Sequence, residues 1–139
     1  VEPALFPGLL RESRGLVGAR GVSLHAVACN DHYAHFDRAI SFVHYLQFDA
    51  RQWRKWNNAL NYQNRLRAPD FIAAAREAGL EVVHEERAVR PGSREALAAM
   101  RVAPEFASYA AEDLVATSVN FVARAAGTDA NAASGRLDR

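Results

Sequence analysis

The chain has 139 residues, half of them hydrophobic and 24% charged, with a formal net charge of +1. That length suits one globular domain, and the near-neutral balance excludes the strong positive field of a dedicated nucleic-acid or anionic-membrane binder. No apolar run approaches the roughly 20 residues that span a bilayer, and the single cysteine, Cys29, excludes an internal disulfide and fits a reducing compartment, so a cytoplasmic protein without nucleic-acid or membrane partners is expected.

In chain order, residues 4–14 carry Leu5, Phe6, Leu9 and Leu10, while Pro7 and Gly8 restrict the predicted helix to the last turns over 9–14. Gly15, Gly18 and Gly21 then punctuate a loop. Their spacing suggests a phosphate cradle, but a dinucleotide fingerprint follows a strand, and these glycines precede one, so they are read as turn residues. Residues 22–29, V-S-L-H-A-V-A-C, predict a short buried strand. Asp31, His32, Tyr33, His35 and Asp37 cluster just past its C-terminal end, where α/β sheets place ligands.

Phe36, Ile40, Val43 and Gln47 share a helical face, which predicts a helix over 35–47. Asp49 and Gln52 have capping-box spacing, and Phe48 and Trp53 the spacing of a hydrophobic staple, so a helix is predicted over 50–58. Its Arg51, Arg54 and Lys55 beside Trp53 and Trp56 are read as a solvated face next to core tryptophans, given the low net charge. Residues 57–67, N-N-A-L-N-Y-Q-N-R-L-R, form an amide-dense connector whose side chains compete for backbone partners. Pro69 suits a helix start and Gly79 the residue past its end, with an apolar stripe of Phe71, Ile72, Ala75 and Ala78 between them. A second strand is predicted over 80–89, then a short helix capped by Ser93 and running to Met100. Pro104 breaks the chain. In the third strand, over 115–123, Val115, Thr117, Val119, Phe121 and Ala123 alternate with Ala116, Ser118, Asn120 and, just past it, Arg124, so that both faces are expected to be partly covered. Residues 126–139, rich in Gly, Ala, Asn and Asp, predict a disordered tail.

Four chemistries compete for the cluster at 31–37. It can form the wall of a substrate cleft, approached by Asn61, Tyr62, Asn64 and Arg65 of the connector. It can hold a metal through Cys29, Asp31, His32, His35 and Asp37, although no established ligand spacing supports that. Hydrolysis by His32 or His35 lacks a nucleophile turn. Finally, Asp31 or Asp37 can cap the following helix while the histidines satisfy loop carbonyls. His25, His44 and His84 stand alone and are read as packed or surface residues.

Several stretches occur in a familiar order: D-H-Y-A-H-F-D, F-V-H-Y-L-Q-F-D, N-Y-Q-N-R-L-R-A-P-D-F, A-G-L-E-V and E-D-L-V-A-T-S-V-N-F-V-A-R. In these the chain resembles the C-terminal half of a bacterial class I S-adenosylmethionine-dependent methyltransferase, over residues 5–125. The resemblance implies an α/β fold: part of a Rossmann-like methyltransferase sheet, with three strands and flanking helices. One parallel crossover would link 22–29 to 80–89, and the last strand would insert antiparallel between the other two. Residues 1–125 would then be the C-terminal part of a methyltransferase domain, acting on a small-molecule methyl acceptor. The family's glycine-rich cofactor loop and ribose-binding acid lie upstream. The resemblance therefore implies no cofactor-binding residue in this chain, no binding of S-adenosylmethionine and no activity by this portion alone, and the N-terminal half of the domain as its partner. No catalytic residue follows from a motif and no metal is expected. The substrate-side candidates are His32, Tyr33, His35, Asp37, Asn61, Tyr62, Asn64 and Arg65. The alternative is a non-enzymatic α/β module that pairs with another chain through an exposed strand.

Overall fold

A computed structural model describes residues 2–127. Its centre is a three-stranded sheet in the order β1-β3-β2, where β1 is Val22–Ala28, β2 is Leu80–Ala88 and β3 is Ser118–Ala125. β3 lies between the other two and is antiparallel to both, with Leu24 opposite Val122 on one side and Val82 opposite Ala123 on the other. Among the described residues no two strands pair in parallel. The expected crossover is corrected accordingly: β1 and β2 run in the same direction only because each is antiparallel to the strand that separates them.

The sheet is covered on one face. Helix α1 (Phe6–Val17) and helix α3 (Ala68–Glu77) pack Phe6, Leu10, Phe71, Ile72 and Ala75 against Val119, Phe121 and Ala123 of β3. Strict alternation of these β3 residues with half-exposed or exposed neighbours follows from the period of two along a strand. The opposite face carries Val22, Leu24, Ala26 and Ala28 of β1 without a covering layer, and Leu24 is 73% exposed. The strand over 22–29 was expected to be buried. It is instead an edge strand with one covered face, which a short apolar run cannot distinguish from a central strand.

A second hydrophobic cluster lies outside the sheet, built from Val43, Tyr45, Leu46, Trp53, Ala103, Phe106 and Leu114. Here the chain is mostly irregular. In place of the helix predicted over 35–47 there are two short 3₁₀ turns, His32–His35 and His44–Gln47. The Asp37 carboxylate accepts the Ala39 amide at 2.8 Å, a local turn bond that diverts the backbone from a helical ladder. Helix α2 (Ala50–Trp53) is shorter than the predicted 50–58. Its capping box between Asp49 and Gln52 is present, and Phe48 stacks on Trp53 at 6.2 Å.

Elsewhere the boundaries move. α1 absorbs Gly15, and Pro7 fits within its first turn, where a missing N–H costs nothing. Gly21 follows α1 so closely that a Cβ there would meet the Val17 carbonyl oxygen at 2.2 Å. Gly79 takes φ +77° just past α3, as a C-terminal cap position favours. Helix α4 (Ser93–Ala99) is preceded by Gly92 as its N-cap, so Ser93 is not the cap; it lies inside the helix, buried, with its hydroxyl unpartnered. Leu114 and Val115 belong to helix α5 (Ala111–Val115), which delays the third strand to Ser118. Of the predicted tail, residues 126 and 127 form a turn and 128–139 lie outside the described residues.

Candidate functional site

β1 ends at Ala28 and delivers Cys29, Asn30 and Asp31 into the interior, all three buried. Burial raises the Cys29 thiol pKa, with the nearby Arg67 charge opposing the shift. Asp31 is fully buried and caps the turn that follows: its Oδ1 accepts the Tyr33 amide at 2.8 Å. Its Oδ2 lies 3.3 Å from His44 Nδ1. Burial pushes the Asp31 carboxyl above its ordinary range, and the Tyr33 amide and His44 pull it back in part. Asp31 thus fills the capping role that the sequence left open for it.

The amide connector reaches this cluster through a residue absent from the candidate set. Gln63 accepts the His32 amide at 2.9 Å and donates to the Asn30 carbonyl, while its own amide donates to Asn57 Oδ1 at 2.7 Å. Nothing in the amide-rich run distinguishes Gln63 from its neighbours. It is buried because one side chain can satisfy both a donor and an acceptor of the departing strand.

The substrate-side candidates are distributed over three places. His32, Tyr62 and Asn64 line a groove of about 390 Å³ that runs along β1 beside α1 and α3, together with Phe6, Leu9, Leu24, His25 and Phe71. His25 is stacked on Phe121 at 4.6 Å, its Nε2 lies 3.0 Å from Ser23 Oγ, and burial lowers its pKa. It is a groove residue that the sequence read as merely packed. His35 lines a different cleft, on the open face of the sheet.

The remaining candidates line neither concavity. The Tyr33 hydroxyl donates to the Trp56 carbonyl at 2.6 Å. Asp37 holds its own turn, and the Asn61 amide bonds to Asn58. The Arg65 guanidinium pairs with Glu105, donates to the Phe48 carbonyl and lies 5.0 Å from the Phe106 ring centroid. Burial lowers the Arg65 pKa, and Glu105 opposes that shift. Arg65 therefore braces the second hydrophobic cluster. Among the described residues, no group of three His, Cys, Asp or Glu side chains comes together to hold a metal.

The residue that ties these parts together is Arg67, which is fully buried. Its guanidinium donates to the carbonyls of Cys29 at 2.6 Å, Asp113 at 2.9 Å, Leu114 at 3.0 Å and Ala116, and to the Tyr45 hydroxyl. It thereby joins the end of β1, the aromatic cluster and the C-terminal end of α5. The Tyr45 hydroxyl also donates to the Cys29 carbonyl at 2.8 Å. Comparison with protein-family models, with curated proteins and with solved structures finds no match to the chain.

Proposed function

We propose that the chain is the C-terminal portion of an S-adenosylmethionine-dependent methyltransferase domain acting on a small molecule. The observation that supports this most is the last strand, inserted antiparallel between two strands that run the same way. A bare β1 edge fits too, because a further strand of the domain would occupy it. Past the end of β1, His32, Tyr62 and Asn64 then serve as the acceptor-side wall. Bound S-adenosylmethionine supplies an electrophilic methyl group. The work left to this chain is to orient the acceptor, since alignment of reacting atoms accounts for much of the rate of such a transfer.

In this proposal the groups that hold the cofactor precede residue 1, and the chain alone does not bind it usefully. Micromolar affinity needs about 8 kcal/mol, and a few groove hydrogen bonds contribute roughly 0.5–1.5 kcal/mol each. Calorimetric titration with S-adenosylmethionine, of this chain and of a chain extended by the residues encoded upstream, tests the proposal. Micromolar binding by the extended chain alone is expected. No binding by the extended chain refutes a methyltransferase, and micromolar binding by the short chain refutes the placement of the cofactor site.

A non-enzymatic strand-pairing module is favoured by a different observation. The outer strand β2 carries Glu81, Glu85, Glu86 and Arg87, charges that blunt an edge, whereas β1 carries no Asp, Glu, Lys or Arg.

A further inference from the structure

The open face of the sheet contains a second cleft of about 540 Å³, lined by residues of the strands and the segments that follow them rather than by α1 or α3. Its floor is a row of small side chains, because Ala28, Ser118 and Ala88 stand opposite one another across the three strands. Such a floor lets a ligand approach the backbone closely. The cleft lies at the C-terminal ends of β1 and β2, and its walls come from the segments that follow them: His35 after β1 and Arg90 after β2.

Both walls are positioned by one ring. Phe42 meets His35 edge-on at 5.4 Å and lies 5.3 Å from the Arg90 guanidinium. The Arg90 backbone is pinned as well, its amide donating to Thr117 Oγ1 at 3.1 Å, while that hydroxyl donates to the Ala88 carbonyl at 3.1 Å. His35 Nε2 lies 3.2 Å from the Asn30 amide oxygen.

The charge balance in the cleft is one-sided. Elsewhere on the sheet, Arg87 pairs with Glu85 and Asp113, and Arg124 with Glu81. Among the described residues, no carboxylate stands within ion-pair distance of Arg90. Ser118, Thr117, Asn30 and Asn120 add hydroxyls and amides to the lining, and among the described residues no acidic residue lines the cleft. Glu86 lies on the same face, opposite Asn120, but outside the lining.

We propose that this cleft binds a small anionic ligand through a carboxylate or phosphate group, with Arg90 as the charged anchor and Ser118 and Asn120 as hydrogen-bonding partners. Guanidinium forks recognise both groups with paired, charge-assisted hydrogen bonds. The site is independent of the methyltransferase proposal, because it needs no residue outside this chain.

Nitrogen-15 NMR titration of the chain at fixed ionic strength tests it, with inorganic phosphate in one arm, succinate in a second and glycerol in a third. Saturable shifts are expected at the amides of Arg90, Ser118 and Asn120, with a dissociation constant on the order of 1 mM for a solvent-open site with few contacts. Arg90→Gln should weaken binding about tenfold. Asn120→Leu, which keeps the charge but fills the cleft, should weaken it as well. Preference for phosphate identifies a phosphorylated ligand, and preference for succinate a carboxylate. Shifts that do not saturate, that appear equally with glycerol or that survive Arg90→Gln overturn the proposal.

Discussion

Removing the Arg67 guanidinium should cost more stability than any other single truncation at the candidate site. The side chain is fully buried and serves the carbonyls of Cys29, Asp113, Leu114 and Ala116 as well as the Tyr45 hydroxyl. Each orphaned buried acceptor costs about 1–3 kcal/mol. A simple sum over these five acceptors, about 5–15 kcal/mol, would equal the total stability of a typical domain. Water entering the space left by Arg67→Ala recovers part of that loss. A net cost of about 3–5 kcal/mol, the range for breaking buried charged networks, is the expected outcome. With a urea dependence of ~1–3 kcal/mol per molar, the midpoint should fall by about 2 M. Arg67→Lys keeps the charge but loses the planar fork, so an intermediate loss is expected. Because Arg67 joins the sheet to the aromatic cluster, the variants should also separate two signals. Tryptophan fluorescence, which reports Trp53 and Trp56, should change at lower urea than the far-ultraviolet signal of the sheet. Arg67→Met refutes the reasoning if it matches the wild type within about 0.5 kcal/mol, the usual range for surface substitutions.

Two further variants probe the buried aspartate and the bare edge. Asp31 has a native carboxyl pKa raised chiefly by burial, so its favourable contribution is complete below the ordinary carboxylate pKa and is lost as pH rises through the raised native value. Asp31→Asn should remove that slope from urea midpoints measured between acid and neutral pH, and an unchanged slope rules out Asp31 as its source. Leu24→Lys places a charge on the exposed face of an edge strand without disturbing the core. Light scattering should show wild-type chains associating with rising concentration and the variant remaining monomeric; a wild type that stays monomeric at high concentration sinks the proposed role of this edge.

What was legible in the sequence was mostly local. Asp49 and Gln52 make their capping box, and Gly79 ends α3, because the chemistry of such signals is confined to a few neighbouring residues. The alternation from Val119 to Ala123 marks the face that α1 and α3 cover, but the expected cover of the other face is corrected, since Asn120 there is exposed. The segment from 35 to 47 misled because apolar residues at helical spacing also suit irregular chain folded over an aromatic cluster. There Val43, Tyr45 and Leu46 are all buried without any helix longer than one turn. Helical periodicity reports which residues are apolar, and it fixes conformation only where the backbone has no competing partner such as the Asp37 carboxylate.

Arg67 and Gln63 were illegible for a different reason. Each is a polar residue in a polar run, and polarity ordinarily implies solvent. Both are buried because the backbone around the exit of β1 leaves carbonyls and an amide that only a long, multivalent side chain can reach: Cys29 and Asn30 from one element, Ala116 from another. That demand arises from tertiary placement, and residues 29, 67 and 116 are far apart along the chain. The same placement divides the predicted polar cluster. The turn His32–His35 carries the chain across the end of β1, so His32 lines the groove along β1 and His35 the cleft on the open face. A cluster that is continuous in sequence therefore serves two concavities, and each needs its own ligand test.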